Sequence, residues 1–151
     1  MATSYRALEG SKFDEKCGEI MEKLTTSKHA KIMFIEQIIN PDLLAVYESC
    51  PLENEQVLFH GTPVKYSTAI EETGLDTEQS KRALYGKGNY FSPNPGYALL
   101  YAVAEYDYRV IYMCRVKMGV VGVNSAIGTD SVYRVNTNEQ SIIDYKIGFY
   151  A

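Results

Sequence analysis

The chain has 151 residues, 46% of them hydrophobic and 23% charged, with no long polar tract, which excludes a disordered or fibrous protein. Its length is that of a single domain over residues 1–151, large enough to bury a core without disulfide staples or a structural metal. A net charge of −4, a pI near 5.2 and the lack of any lysine or arginine stripe make nucleic acid improbable as a tight partner.

The first residues, MATSYRALEG, lack the basic and then apolar pattern of a secretory signal, and no apolar run approaches bilayer length. An intracellular setting, cytoplasmic or nuclear and without membrane contact, is therefore expected. SKFDEKCGEIMEKL places Phe13, Cys17, Ile20, Met21 and Leu24 on one face of a helix, with Ser11 and Asp14 in capping-box spacing. KIMFIEQII is β-branched and reads as a strand, after which Asn40 caps and Pro41 opens a second helix through DLLAVYES. The first third is thus strand, helix, strand, helix. VLFHG at 57–61 is a short apolar strand ending in His60 and Gly61, followed by a short helix that Gly74 stops near Thr73. Polar residues from Asp76 to Arg82 form the best loop candidate. NYFS reads as a short strand, and Asn94 with Pro95 opens a helix through GYALLYAVAEY, in which Tyr97 and Tyr101 share a face. RVIYMCRVKMG, VVGV, SVYRV and DYKIGFYA read as strands. The fold class is α+β, with no internal repeat.

Cys17, Cys50 and Cys114 lie far apart and are odd in number, which fits neither a disulfide framework nor a zinc site, so no metal is expected. His29 sits in the polar connection SKHAK as a solvated loop residue. His60 has two readings: a core histidine bonded to a backbone carbonyl, or a side chain aimed into a cleft beside a glycine that lets a ligand approach the backbone. GKG at 86–88 has neither Walker nor dinucleotide-fingerprint spacing and is weak as a phosphate cradle. Thirteen tyrosines and no tryptophan mean that tyrosine supplies much of the aromatic packing, so any one of them alone indicates core.

The combination says more. HGT at a strand end, then YGKGNYF, then a helix bearing Tyr101 resembles the poly(ADP-ribose) polymerase superfamily of ADP-ribosyltransferases. FIEQIINPDLLAVYES, VIYMCRVKMG and NEQSIIDYKIGF resemble further strands and helices of that family, so the likeness runs over roughly residues 5 to 150. It implies an ADP-ribosyltransferase fold, a split antiparallel β-sheet with flanking helices, that binds NAD as a substrate across the cleft. By position, His60 of His60-Gly61-Thr62 would bond the adenosine ribose, and the Gly61 backbone would pair with the nicotinamide carboxamide. Tyr101 would stack on the nicotinamide, and Tyr90 would close the other side.

Two positions depart from the family pattern. Where polymerising members carry a glutamate, counting back from Gln140 and Tyr145 falls on Val132, so the triad reads His60, Tyr90, Val132. Where the family has a serine on the carboxamide, this chain has Ala98. Valine neither bonds a hydroxyl nor accepts a proton, and members with an aliphatic residue here resemble mono-ADP-ribosyltransferases. The resemblance therefore implies transfer of single ADP-ribose units from NAD to a protein acceptor. Two alternatives remain: a module that binds NAD or a partner without catalysis, and an enzyme that modifies nucleic-acid ends.

Overall fold

The longest strands form where the sequence concentrates β-branched and aromatic residues, and one of them, Tyr108–Lys117, is an apolar run buried on both faces. They assemble into two antiparallel sheets that meet at one point. The computed structural model describes residues 2–79 and 85–151. Its strands are β1 (Ser4–Ala7), β2 (Ile32–Ile39), β3 (Glu55–Thr62), β4 (Asn89–Phe91), β5 (Tyr108–Lys117), β6 (Ser125–Thr129), β7 (Val132–Val135) and β8 (Ser141–Tyr150). Its helices are α1 (Gly10–Glu22), α2 (Pro41–Ser49), α3 (Ser67–Thr73) and α4 (Pro95–Leu99), with a 3₁₀ turn at Val64–Tyr66 leading into α3.

The large sheet runs β1-β2-β8-β5-β3 and the small one β4-β7-β6. Backbone bonds between Phe59 and Ser92, at 2.7 and 2.8 Å, join them. This is the α+β architecture with a split antiparallel sheet. One face of the large sheet carries Leu58, Val110, Tyr112, Cys114 and Val116 against Phe91 and Val135 of the small sheet. The opposite face packs Phe59, Ile111, Met113, Ile147 and Phe149 against α1 and α4 through Ile20, Ala98 and Leu99. Among the described residues, no helix is long and apolar enough to cross a membrane.

Most elements form where their patterns place them, and Asn40 caps α2 by accepting from the Leu43 N–H at 3.1 Å. Gly74 stops α3 with φ +82°. Three expectations are corrected. Helix α1 starts at Gly10, whose φ of +58° turns the chain out of β1, so Ser11 lies inside the helix and the cap residue Glu9 makes no side-chain bond. VVGV is a turn rather than a strand, because Gly122 adopts φ +95° and the Asn124 side chain accepts from the Val120 N–H. Helix α4 ends at Leu99 and continues as tight turns to Ala102, beyond which the Val103 carbonyl is taken by the Val64 N–H. Of the Asp76–Arg82 loop, 77–79 form a 3₁₀ turn and the remainder past Gln79 lies outside the described residues.

Two buried polar side chains organise the strand ends. Glu71 of α3, 3% exposed, accepts from the Tyr112 hydroxyl at 2.6 Å and pairs with the Lys146 ammonium at 3.0 Å, tying α3 to β5 and β8. Gln140, 1% exposed, donates through Nε2 to the carbonyls of Lys117 and Asn124, both at 3.0 Å. Its Oε1 accepts from the N–H groups of Asn136 and Thr137, at 3.1 and 2.9 Å. Gln140→Ala removes all four bonds, leaving the Asn136 N–H and the Asn124 carbonyl only their bond to each other at 3.2 Å, and should destabilise the fold by about 2–4 kcal/mol in urea titrations. Gln140→Glu sets a carboxylate against two carbonyls and should be no milder; a neutral outcome in either variant contradicts the clamp.

Candidate functional site

In an antiparallel pair, successive residues alternate between facing their neighbour strand and facing away. Strand β3 is an edge of the large sheet, so its outward-facing residues are offered to whatever lies beyond. Phe59 faces outward, because its N–H and C=O are bonded to Ser92. His60, opposite Tyr112, therefore faces β5, and Gly61, opposite Ile111, faces outward again. The small sheet has turned away by then, leaving the Gly61 donor and acceptor on the edge between β3 and α4.

Glycine is required there by space. A Cβ on Gly61 would stand 1.8 Å from the carbonyl oxygen of Ala98. That same oxygen accepts the Tyr101 N–H at 3.1 Å. One carbonyl thus joins the edge of β3, the end of α4 and the start of the Tyr101 turn. Helix α4 is anchored at its other end by Asn94, which accepts from the Gly96 N–H at 2.9 Å and donates to the Thr25 hydroxyl at 2.8 Å.

The His60 side chain shares a sheet face with Tyr112, its ring edge-on to Phe91 with centroids 5.7 Å apart. Its Nδ1 lies 2.7 Å from the Tyr90 carbonyl oxygen, which can only accept, so Nδ1 carries the proton and Nε2 keeps a free lone pair. Burial pushes its pKa below the usual 6.5, outweighing the opposing effect of the Tyr90 bond, and the ring is neutral at physiological pH. Thr62 is buried opposite Val110.

Tyr90 lies in β4 opposite Arg134, on the face of the small sheet away from the core. Its hydroxyl donates to the Gly86 carbonyl at 2.5 Å and accepts from the Tyr85 N–H at 3.0 Å, closing the GKG loop over its own ring. Arg134 crosses the same loop, donating through Nη1 to the Lys87 carbonyl at 3.0 Å. The glycines have separate reasons: Gly86 adopts φ +94°, and a Cβ on Gly88 would meet the Val135 carbonyl at 2.4 Å. Lys87 points outward and pairs with Glu78.

Val132 opens β7, next to the Tyr133 that pairs with Phe91, and its own partner is Thr129 of β6. Alternation gives it the same face as Arg134 and Tyr90, since Tyr133 and Val135 pack toward the core. Ala98 is buried at 3%, and Tyr101 is 42% exposed beside Tyr97. The structure thus brings Gly61, Ala98 and Tyr101 together at one edge, links His60 to Tyr90 through the Tyr90 carbonyl, and sets Val132 on the Tyr90 face of the small sheet. His29 lies apart and exposed. Sequence reasoning missed Arg134; its only local signal was its place in SVYRV, since the contact that gives it a role comes from a loop 47 positions away.

Compared with protein families, the chain matches the one described as poly(ADP-ribose) polymerase catalytic domain over residues 11–141, a span that includes all of these residues. A search of curated proteins finds no match.

Two outcomes follow from the geometry. Gly61→Ala should cost about 1–3 kcal/mol in a urea titration by forcing α4 away, and should abolish binding of benzamide, a flat aromatic amide, in calorimetry. A stable, fully binding alanine variant contradicts the close approach. For His60, the unfolded chain binds the proton below about pH 6.5 more readily than the folded one. Its stabilising contribution is therefore complete above that pH and lost as pH falls toward the lower folded value. Stability should drop on acidification below pH 6.5 more steeply in the native protein than in His60→Asn; parallel curves contradict a partly buried, neutral imidazole.

Proposed function

The chain belongs to the poly(ADP-ribose) polymerase catalytic-domain family, and from that premise we propose that it transfers single ADP-ribose units from NAD to a protein acceptor, with release of nicotinamide. NAD-dependent ADP-ribosyl transfer is the chemistry of that domain. The observation that carries the reading is the outward edge of Gly61, a backbone donor and acceptor side by side against the Ala98 carbonyl and the Tyr101 turn. A primary carboxamide on an aromatic ring needs one acceptor, one donor and a ring face, and this edge supplies all three.

The neutral His60 suits the other end of NAD, where Nε2 accepts a hydrogen bond from a ribose hydroxyl. Tyr90 closes the nicotinamide-ribose side with a ring held by its own loop. The reaction breaks the bond between the ribose anomeric carbon and the nicotinamide nitrogen, whose positive charge is neutralised as it leaves. Holding both ends of NAD and keeping water from the anomeric carbon are the contributions these residues make, through positioning more than proton transfer.

Single transfer is supported by Val132, which carries no carboxylate to activate a ribose hydroxyl as the next nucleophile. An acceptor carboxylate matches this site, because it is ionised at neutral pH and forms the ester with no proton to remove. Ala98 lacks a hydroxyl for the carboxamide, a loss of about 0.5–1.5 kcal/mol, which points to a high KM for NAD.

Incubation with labelled NAD and gel analysis tests the proposal. Discrete labelled species are expected, with His60→Ala lowering incorporation at least tenfold and Asp130→Ala or Glu139→Ala leaving it unchanged. A long polymer ladder contradicts single transfer. Absence of any label or free nicotinamide, in a preparation that still binds NAD, favours the non-catalytic alternative.

A further inference from the structure

Tyr101 faces a physical difficulty. It is 42% exposed and lies past the last residue of α4, outside the regular helix. A tyrosine so placed samples several rotamers, and ordering it would weaken the binding of any ligand that stacks on it.

Tyr97 lies inside α4, on the segment that Asn94, Pro95 and the close approach of Gly96 to Thr26 hold in place. Its hydroxyl and that of Tyr101 share a hydrogen bond at 3.1 Å, and the two rings meet with centroids 5.6 Å apart at 55°. The Tyr97 phenol is pushed up to about 12, first by this bond and then by burial, so its hydroxyl stays protonated at physiological pH. The pair connects the rigid part of the helix to the loose turn beyond it.

We propose that Tyr97 is a positioning residue, whose hydroxyl holds the Tyr101 ring in its ligand-ready orientation before the aromatic amide arrives. The inference rests on the reading that this edge receives the nicotinamide end of NAD. Tyr97 touches no reacting atom. It removes from binding the cost of ordering Tyr101, so its effect falls on affinity and KM and leaves kcat alone.

A double-mutant cycle on the hydroxyls tests this, with benzamide affinity by calorimetry and NAD consumption as readouts. One exposed hydrogen bond corresponds to roughly a threefold to tenfold change in affinity. Tyr97→Phe and Tyr101→Phe should each weaken benzamide and raise the KM for NAD by that factor with kcat unchanged. The double variant should lose no more than either single one, because both singles remove the same bond. Additive losses, a loss confined to Tyr101→Phe, or a fall in kcat with KM unchanged each overturn the inference. Tyr101→Ala separates the two levels. If it loses benzamide while Tyr97→Phe does not, the nicotinamide site stands and the positioning role falls. If the native protein binds neither benzamide nor NAD, the underlying reading falls and the inference goes with it.

Discussion

The outer edge of β3 is used twice within three residues, once to join the two sheets and once to meet α4 at close range. Phe59 gives its backbone groups to Ser92 and so fastens the small sheet to the large one. Gly61, facing the same way two residues later, meets the Ala98 carbonyl across a gap that only glycine allows. Moving the junction by one residue would present the His60 backbone on the edge and turn its imidazole to the opposite face. The placement of the histidine against the Tyr90 carbonyl and the approach of α4 both follow from that register.

What surrounds the edge is polar where strain or exposure would otherwise loosen it. The Glu71–Lys146 pair and the Tyr112 hydroxyl hold α3, the helix that follows the His60-Gly61-Thr62 segment, against the sheet. Removing one member of such a buried set leaves a charge without its partner, which costs more than the intact set contributes. On the other side of the cleft, Arg134 and the Tyr90 hydroxyl both bind carbonyls of the GKG loop. The outer edge of β3 is thus flanked by elements that are themselves tied down by hydrogen bonds and an ion pair.

Much of this was legible in the sequence because its causes are local. Asn94 with Pro95, Gly74 after a helical run, and an apolar strand ending in His60-Gly61 each signal through backbone chemistry that operates within a few residues. The composite of HGT, YGKGNYF and Tyr101 pointed to the family because their order and spacing act together. What escaped notice depends on distant partners. Gln140 serves in the sequence only as a point of likeness to the family, and its clamp forms because the carbonyls of Lys117 and Asn124 converge on it; Glu71 is likewise held by Lys146 and Tyr112 from distant strands. The helix through GYALLYAVAEY was overextended for the same reason, since its periodicity continues past Leu99 while the backbone is drawn off to meet Val64.

The backbone edge of Gly61 can be observed directly by nuclear magnetic resonance of isotope-labelled protein titrated with benzamide. The Gly61 amide should shift strongly downfield and exchange more slowly with solvent as the carboxamide oxygen accepts its proton, with the Tyr101 ring signals moving at the same ligand concentration. Saturation of the protein with the Gly61 amide unmoved would contradict an aromatic-amide site at this edge.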